Sequence, residues 1–163
     1  MASRFAVLLF VVLSACATPY QENGFQGGVR AAPLGGDNYR VEANLNGYSS
    51  ASMAQDYLLL KAAETALQNG AVGFVIQGAQ DTTKSSTYVT PGQSYTTASA
   101  YGTGNSVYGQ STTTYSAPQI QHVEKPGGML LITLVRDPVP SGLSFFNASE
   151  IVAAIGPRVK RGG

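Results

Sequence analysis

The feature that most restricts the fold of this chain is a polar, low-complexity segment at residues 82–115. Of these 34 residues, 25 are Ser, Thr, Tyr or Gly, and the only large aliphatic side chains are Val89 and Val107. Ordering the backbone costs about 1–2 kcal/mol per residue, and this segment has little apolar surface whose burial offsets that cost. We therefore predict that residues 79–118 form an insertion outside the core, either a hairpin or a loop.

The insertion carries a regular series of aromatic residues. Tyrosines recur every six or seven residues, at Tyr88, Tyr95, Tyr101, Tyr108 and Tyr115. An aromatic face packs on apolar C–H groups while hydroxyl groups reach polar atoms, a combination that suits a carbohydrate surface. The five tyrosines are therefore candidate ligand-contacting residues. The alternative interpretation is that they pack on their own neighbours in a solvated hairpin.

Before the insertion, the sequence predicts a strand, a helix and a second strand. Apolar and polar residues alternate over 39–45, the period of a half-buried strand. Residues 51–69 are mostly strong helix formers and are followed by Gly70, which suits a left-handed cap. The run at 72–77 is apolar at successive positions, as in a central strand. A short connection between helix and second strand predicts a βαβ unit with parallel strands.

After the insertion, an apolar run at 129–135 predicts a further strand, and Asn147 with Glu150 fits the capping box of a short C-terminal helix. We predict an α+β domain over 37–163, with a small βαβ-containing mixed sheet and one long helix packed on it. The residues expected in its core are Leu59, Leu60, Leu67, Val72, Phe74, Ile76, Leu131, Ile132 and Leu134.

The N-terminal residues have the three parts of a secretory signal peptide. Arg4 supplies the positive charge, residues 5–13 form an unbroken apolar run, and small residues follow. A transmembrane helix needs about 20 apolar residues, so this run is too short to span a bilayer. We predict a signal peptide over 1–15.

The cleavage site allows two interpretations. Leu13-Ser14-Ala15-Cys16 resembles the lipobox of bacterial lipoproteins, in which the cysteine thiol receives diacylglycerol and becomes the first residue. That resemblance implies that Cys16 is the lipidation site, and the Gly- and Pro-rich residues 16–36 are expected to form a flexible tether. The alternative is ordinary cleavage after Ala17, which would remove Cys16 and release a soluble periplasmic protein.

The composition excludes several kinds of site. One cysteine cannot form an intrachain disulfide, and one cysteine with one histidine cannot build a Cys/His zinc site. Ten basic and nine acidic side chains give a net charge of +1, without the basic excess of a nucleic-acid-binding protein. We predict no metal site, no cofactor and no nucleic-acid partner.

The sequence offers no catalytic motif. His122 is the only imidazole, and no nucleophile motif surrounds it, so we interpret it as a solvated histidine. Asp56 and Glu64 lie two turns apart on the predicted helix, with Lys61 between them, which favours local ion pairs over a catalytic carboxylate pair. The chain is therefore not expected to be an enzyme.

Several motifs of the domain resemble those of a known family. They are Gly47-Tyr48-Ser49, a helix with Asp56-Tyr57 and Lys61-Ala62-Ala63-Glu64, Asn69-Gly70, and a late Lys125-Pro126-Gly127 turn. Over 37–160 the chain is similar to an uncharacterised family of alphaproteobacterial envelope lipoproteins, which implies no particular activity or ligand. The βαβ core more distantly resembles the Rcs stress-sensor lipoprotein, which relies on disulfides that this chain cannot form.

Two functional hypotheses follow. The first is a membrane-anchored envelope lipoprotein with a structural or protein-interaction role. The second is a glycan- or peptidoglycan-binding module that uses the tyrosines. Ala17 stands where enteric lipoproteins retained in the inner membrane have Asp, so the resemblance implies the outer membrane, with the domain facing the periplasm.

Overall fold

A computed structural model of the protein describes residues 16–162, so the predicted signal peptide and the first three lipobox residues lie outside the described part. It contains nine strands and two α-helices within that range. The strands are β1 (Gly28–Gly35), β2 (Asn38–Asn44), β3 (Gly73–Asp81), β4 (Lys84–Thr90), β5 (Ser94–Thr103), β6 (Ser106–Tyr115), β7 (Gln119–Lys125), β8 (Gly127–Val135) and β9 (Phe146–Asn147). The helices are α1 (Ala51–Gln68) and α2 (Ala148–Ile155), the latter followed by a 3-10 turn at Gly156–Arg158.

The predicted α+β class is confirmed, and the main sheet has the order β1-β2-β8-β3-β9. Strands β2 and β3 flank helix α1 in the sequence and run parallel to each other, as the βαβ pattern predicts. They are not neighbours, because β8 enters the sheet between them and pairs antiparallel with both. The prediction of a mixed sheet is corrected accordingly, since each neighbouring pair of this sheet is antiparallel.

Helix α1 begins and ends where its sequence signals predict. The side chain of Ser50 accepts a hydrogen bond from the backbone N–H of Met53 and caps the N-terminus. After the C-cap Asn69, Gly70 has a φ of +70°, a conformation that glycine adopts without steric cost. Its buried face is built largely from alanine and leucine and lies against the main sheet.

The core lies between α1 and one face of the main sheet. Phe74, Leu60 and Ile132 are at most 1 % exposed, as expected. Leu131, however, is 36 % exposed, because side chains along a strand alternate and only its neighbours Leu130 and Ile132 face the core. Leu67, in the last turn of α1, is 44 % exposed.

The prediction of a flexible tether over 16–36 is wrong. Residues Gly28–Gly35 form strand β1 and pair in register with β2, while Thr18, Tyr20 and Val29 are buried. The glycines in this segment, which suggested a coil, instead permit turns and close backbone approach. Gly28 has a φ of +140°, and a side chain there would collide with the carbonyl oxygen of Gln21.

The chain divides into two compact units, and the predicted insertion is a real one with different limits. We call residues 16–84 and 124–162 the core unit, and Ser85–Val123 the insertion unit. The predicted limits of 79–118 are corrected because β3 continues in the main sheet to Asp81, and β7 extends the insertion past residue 118.

The insertion is built from paired strands rather than from an irregular loop. Strand β4 pairs with β7, and β5 pairs antiparallel with β6 in an unbroken register from Ser94–Tyr115 to Thr103–Ser106. We call the β5–β6 pair the tyrosine hairpin. All ten residues of β6 are exposed, so this hairpin has no core of its own.

Candidate functional site

The N-terminal end of the described chain places an exposed cysteine at the edge of the core unit. Cys16 has a free, exposed thiol, and its carbonyl oxygen accepts a hydrogen bond of 2.8 Å from the side-chain amide of Asn46. Two residues later, Thr18 is only 1 % exposed. The chain therefore passes from a solvent-accessible thiol to the protein interior within two residues.

Every polar group of Thr18 has a partner in the core unit. Its N–H donates to Ser49 Oγ at 3.1 Å, and its carbonyl oxygen accepts from the Tyr57 hydroxyl at 2.9 Å. Its hydroxyl donates to the carbonyl oxygen of Gln26 at 3.2 Å and accepts from the N–H of Asn46 at 2.9 Å. These bonds satisfy the buried polar atoms and fix the segment that follows Cys16.

Tyr20 holds the same segment in place through contacts with helix α1 and the C-terminal tail. Its hydroxyl donates to Glu64 Oε2 at 2.5 Å, and its ring meets Tyr57 edge-on with centroids 5.2 Å apart. Arg161 lies over the ring at 5.2 Å and donates to Glu64 Oε1 at 2.7 Å. Burial, followed by the hydrogen bond to Glu64, raises the pKa of Tyr20 well above its ordinary value, so the phenol stays neutral.

The charged residues of α1 pair with distant parts of the chain. Lys61 bonds to Glu22, Glu64 to Arg161, and Asp56 lies 3.7 Å from Arg158. The predicted local ion pairs among Asp56, Lys61 and Glu64 are therefore wrong. The physical reason is that the N-terminal segment and the C-terminal tail both pack beside this helix and supply the partners.

A hollow beside Cys16 is lined by a mixture of chemical groups. Its walls include the turn at 23–27 and the exposed lysines Lys84 and Lys125. Phe25, at the tip of that turn, is 107 % exposed, the highest exposure among the large hydrophobic residues that the structure describes. The sequence reasoning missed this residue, although a single large apolar side chain between Asn23-Gly24 and Gly27-Gly28 marks a turn tip.

The structure brings three of the five candidate tyrosines onto one surface. In the register of the tyrosine hairpin, Tyr95, Tyr101 and Tyr108 lie on the same face, and Tyr101 pairs directly with Tyr108. The rings of that pair stack with centroids 6.1 Å apart. Tyr115, opposite Ser94, lies on the other face of the hairpin, and Tyr88 belongs to strand β4.

The single histidine lies within hydrogen-bonding distance of a threonine hydroxyl. His122 Nδ1 lies 3.0 Å from Thr87 Oγ1, on an exposed part of the β4–β7 pair. Over residues 16–162, no cluster of three or more His, Cys, Asp or Glu side chains could hold a metal ion. Within the same residues, no helix is both long enough and apolar enough to cross a bilayer.

Comparisons of the chain with protein-family models, curated proteins and solved structures found no match. The resemblance to alphaproteobacterial envelope lipoproteins stays a prediction from the motifs.

Proposed function

We propose that the protein is a lipid-anchored lipoprotein of the cell envelope, with a structural or protein-interaction role and no catalytic activity. The observation that carries this proposal is the place of Cys16. The only cysteine of the chain is the last residue of the lipobox, is exposed, and lies at the N-terminal edge of the core unit. An acyl group on this thiol would lie outside the fold and would not disturb its packing.

The geometry favours lipidation over cleavage after Ala17. That cleavage would create a charged amino group on Thr18, whose N–H donates to Ser49 in a buried environment. Taking a charged amino group into this buried environment is costly. Cleavage before Cys16 leaves the new terminus on an exposed residue and keeps the bond from Asn46 to the Cys16 carbonyl.

A role in protein contacts is supported by the second face of the main sheet. There Arg40 pairs in register with the exposed Leu131, and Glu42 lies between Arg30 and Arg40 at 2.7 and 2.8 Å. The rim of a protein interface is polar, and this face, with one exposed apolar side chain among charged ones, would suit such a rim. With Ala17 after the cysteine, we propose the outer membrane as the location and the periplasm as the side the domain faces.

Metabolic labelling with radioactive palmitate tests the anchor. The wild type should incorporate label and sediment with outer-membrane fractions, whereas Cys16→Ser should incorporate none. A matched control combines Cys16→Ser with Phe25→Cys, which keeps one exposed thiol but moves it away from the lipobox. This control should also remain unlabelled, and a wild type without label would overturn the proposal.

A glycan-binding role is the second candidate, and the shared face of Tyr95, Tyr101 and Tyr108 favours it. Hydroxyl side chains of Thr97, Ser99 and Thr112 lie on that same face by the strand register. Aromatic rings with hydroxyl groups between them are suited to a polysaccharide.

Binding of the purified protein to insoluble peptidoglycan tests this second role. The triple variant with Tyr95, Tyr101 and Tyr108 changed to Ser should lose retention. The variant Tyr88→Ser/Tyr115→Ser is the matched control, because its tyrosines lie elsewhere on the insertion unit. Equal retention of both variants and the wild type would exclude the tyrosine face as the binding surface.

A further inference from the structure

Phe25 is held in an exposed position by a defined turn. The backbone of Gly24 and Gly27 forms two mutual hydrogen bonds of 3.2 and 3.0 Å, and the carbonyl of the intervening Gln26 accepts from the Thr18 hydroxyl. On this turn the side chain of Phe25 is 107 % exposed. Transfer of an exposed aromatic ring from water into an apolar environment is favourable.

The surroundings of Phe25 indicate which apolar surface that is. Cys16, Phe25, Lys84 and Lys125 line one hollow, so the acylation site, an exposed aromatic ring and two cations share one side of the core unit. Lipid interfaces attract this combination, because the aromatic ring enters the headgroup region while lysines approach anionic phosphates.

The short link between Cys16 and the core restricts how far the domain can move from the bilayer. An extended chain spans at most about 3.6 Å per residue. From Cys16 to the buried Thr18 there are two residues, which gives about 7 Å of reach. An acylated Cys16 would therefore hold the core unit against the headgroups instead of suspending it on a tether.

We propose that Cys16, Phe25, Lys84 and Lys125 form a membrane-facing surface that sets the orientation of the domain on an anionic phospholipid bilayer. This inference rests on the proposed acyl anchor. The acyl chains supply the attachment, and Phe25 with the two lysines decides which side of the core unit meets the lipid.

Tryptophan fluorescence of the lipidated mature chain, which begins at Cys16, tests the surface, since the natural sequence has no tryptophan. The Phe25→Trp variant would be reconstituted in vesicles made of equal parts phosphatidylglycerol and phosphatidylcholine. The acyl chains of the phosphatidylcholine carry bromine, which quenches tryptophan that comes close. The emission of the variant should shift to shorter wavelength and be quenched relative to unbrominated vesicles. The matched control is Leu34→Trp, at a position that is 53 % exposed. Leu34 lies six residues along β1 from Gly28, which places it about 20 Å from that end of the strand.

The lysines are tested with the same reporter. Replacing phosphatidylglycerol by phosphatidylcholine should reduce the quenching of Trp at position 25, and Lys84→Gln/Lys125→Gln should remove this dependence on anionic lipid. Flotation of the vesicles is measured in parallel. A chain that does not float overturns the anchor and this surface together. A chain that floats with residue 25 unquenched, or quenched equally with residue 34, overturns the surface alone.

Discussion

The core unit and the insertion unit contain comparable strands but differ in what those strands bury. In the core unit, Phe74, Val41 and Ile132 lie at 0–1 % exposure under helix α1. In the tyrosine hairpin, Thr96 bonds to Thr113 at 2.9 Å and Tyr101 stacks on Tyr108, yet these side chains stay exposed. The first unit is stabilised mainly by apolar burial, and the second by ladder hydrogen bonds and cross-strand pairs.

This difference means that similar substitutions should have unequal effects. Cross-strand pairs contribute about 0.2–1 kcal/mol each, whereas removal of a large core side chain costs several times more. The free energy of unfolding of the core unit should therefore depend strongly on its own buried residues and hardly at all on the hairpin.

The largest effect is expected for Phe74→Ala. Phe74 is 0 % exposed and stacks on Phe146 with ring centroids 5.5 Å apart. Its truncation should lower the free energy of unfolding by about 3–5 kcal/mol, measured by urea denaturation. Leu131→Ala, on the same sheet but exposed, serves as the control and should cost about 1 kcal/mol. Equal losses in the two variants would contradict the core as described.

An intermediate effect is expected for Tyr20→Phe. The change removes the hydroxyl that donates to Glu64 but keeps the ring under Arg161 and against Tyr57. Hydrogen bonds to charged groups contribute about 1.5–3 kcal/mol, so we expect a loss near the lower end because Arg161 still pairs with Glu64. Tyr48→Phe, at a 77 % exposed position, should change stability by less than about 0.5 kcal/mol.

The pH dependence of the same variant provides a further test. Because the folded-state pKa of Tyr20 is raised above 10.0, the unfolded chain releases this proton first as the pH rises. The stability of the wild type should therefore fall as the pH rises above 10.0, and Tyr20→Phe should fall less steeply. Parallel stability curves from pH 9 to about pH 12 would show that Tyr20 is not held neutral.

The sequence predicted the helices and strands better than it predicted which parts of the chain contact one another. The C-terminal end of α1 followed from Gly70, which acts within one turn of the chain. The place of β8 beside β2 depends on pairing across more than 80 residues of chain, which local periodicity does not encode. The burial of Thr18 and Tyr20 likewise depends on Tyr57, Glu64 and Arg161, so a glycine-rich segment was predicted as a tether.

Only part of the candidate site could be predicted, because the rest depends on contacts between residues that are distant in the sequence. The lipobox is a contiguous motif, so Cys16 could be found from the sequence alone. The grouping of Tyr95, Tyr101 and Tyr108, without Tyr88 and Tyr115, depends on the register of the hairpin. Spacings of six and seven residues place some tyrosines on opposite faces, because side chains alternate along a strand.

The smallest loss of stability is expected when the insertion unit is removed. Replacing Ser85–Val123 with a short Gly-Ser turn joins Lys84 to Glu124, next to the point where the N–H of Thr82 already bonds to the carbonyl oxygen of Gly127, so the connection requires little rearrangement. The core unit loses none of its own buried residues, and shortening a loop changes closure entropy by only on the order of 1 kcal/mol, in the stabilising direction.

Urea denaturation of this deletion, beside limited proteolysis of the wild type, measures the result. The deletion variant should unfold at the same or a slightly higher urea concentration. Proteases should cut the wild type first within 85–123, because the side chains of these strands are exposed and little burial protects them.

A matched control removes only the stacked pair by Tyr101→Ser/Tyr108→Ser, and the urea midpoint of the core unit should not change. If the deletion unfolds the protein, or if proteases cut the core unit first, the insertion contributes to the stability of the core and the two units are not energetically separate.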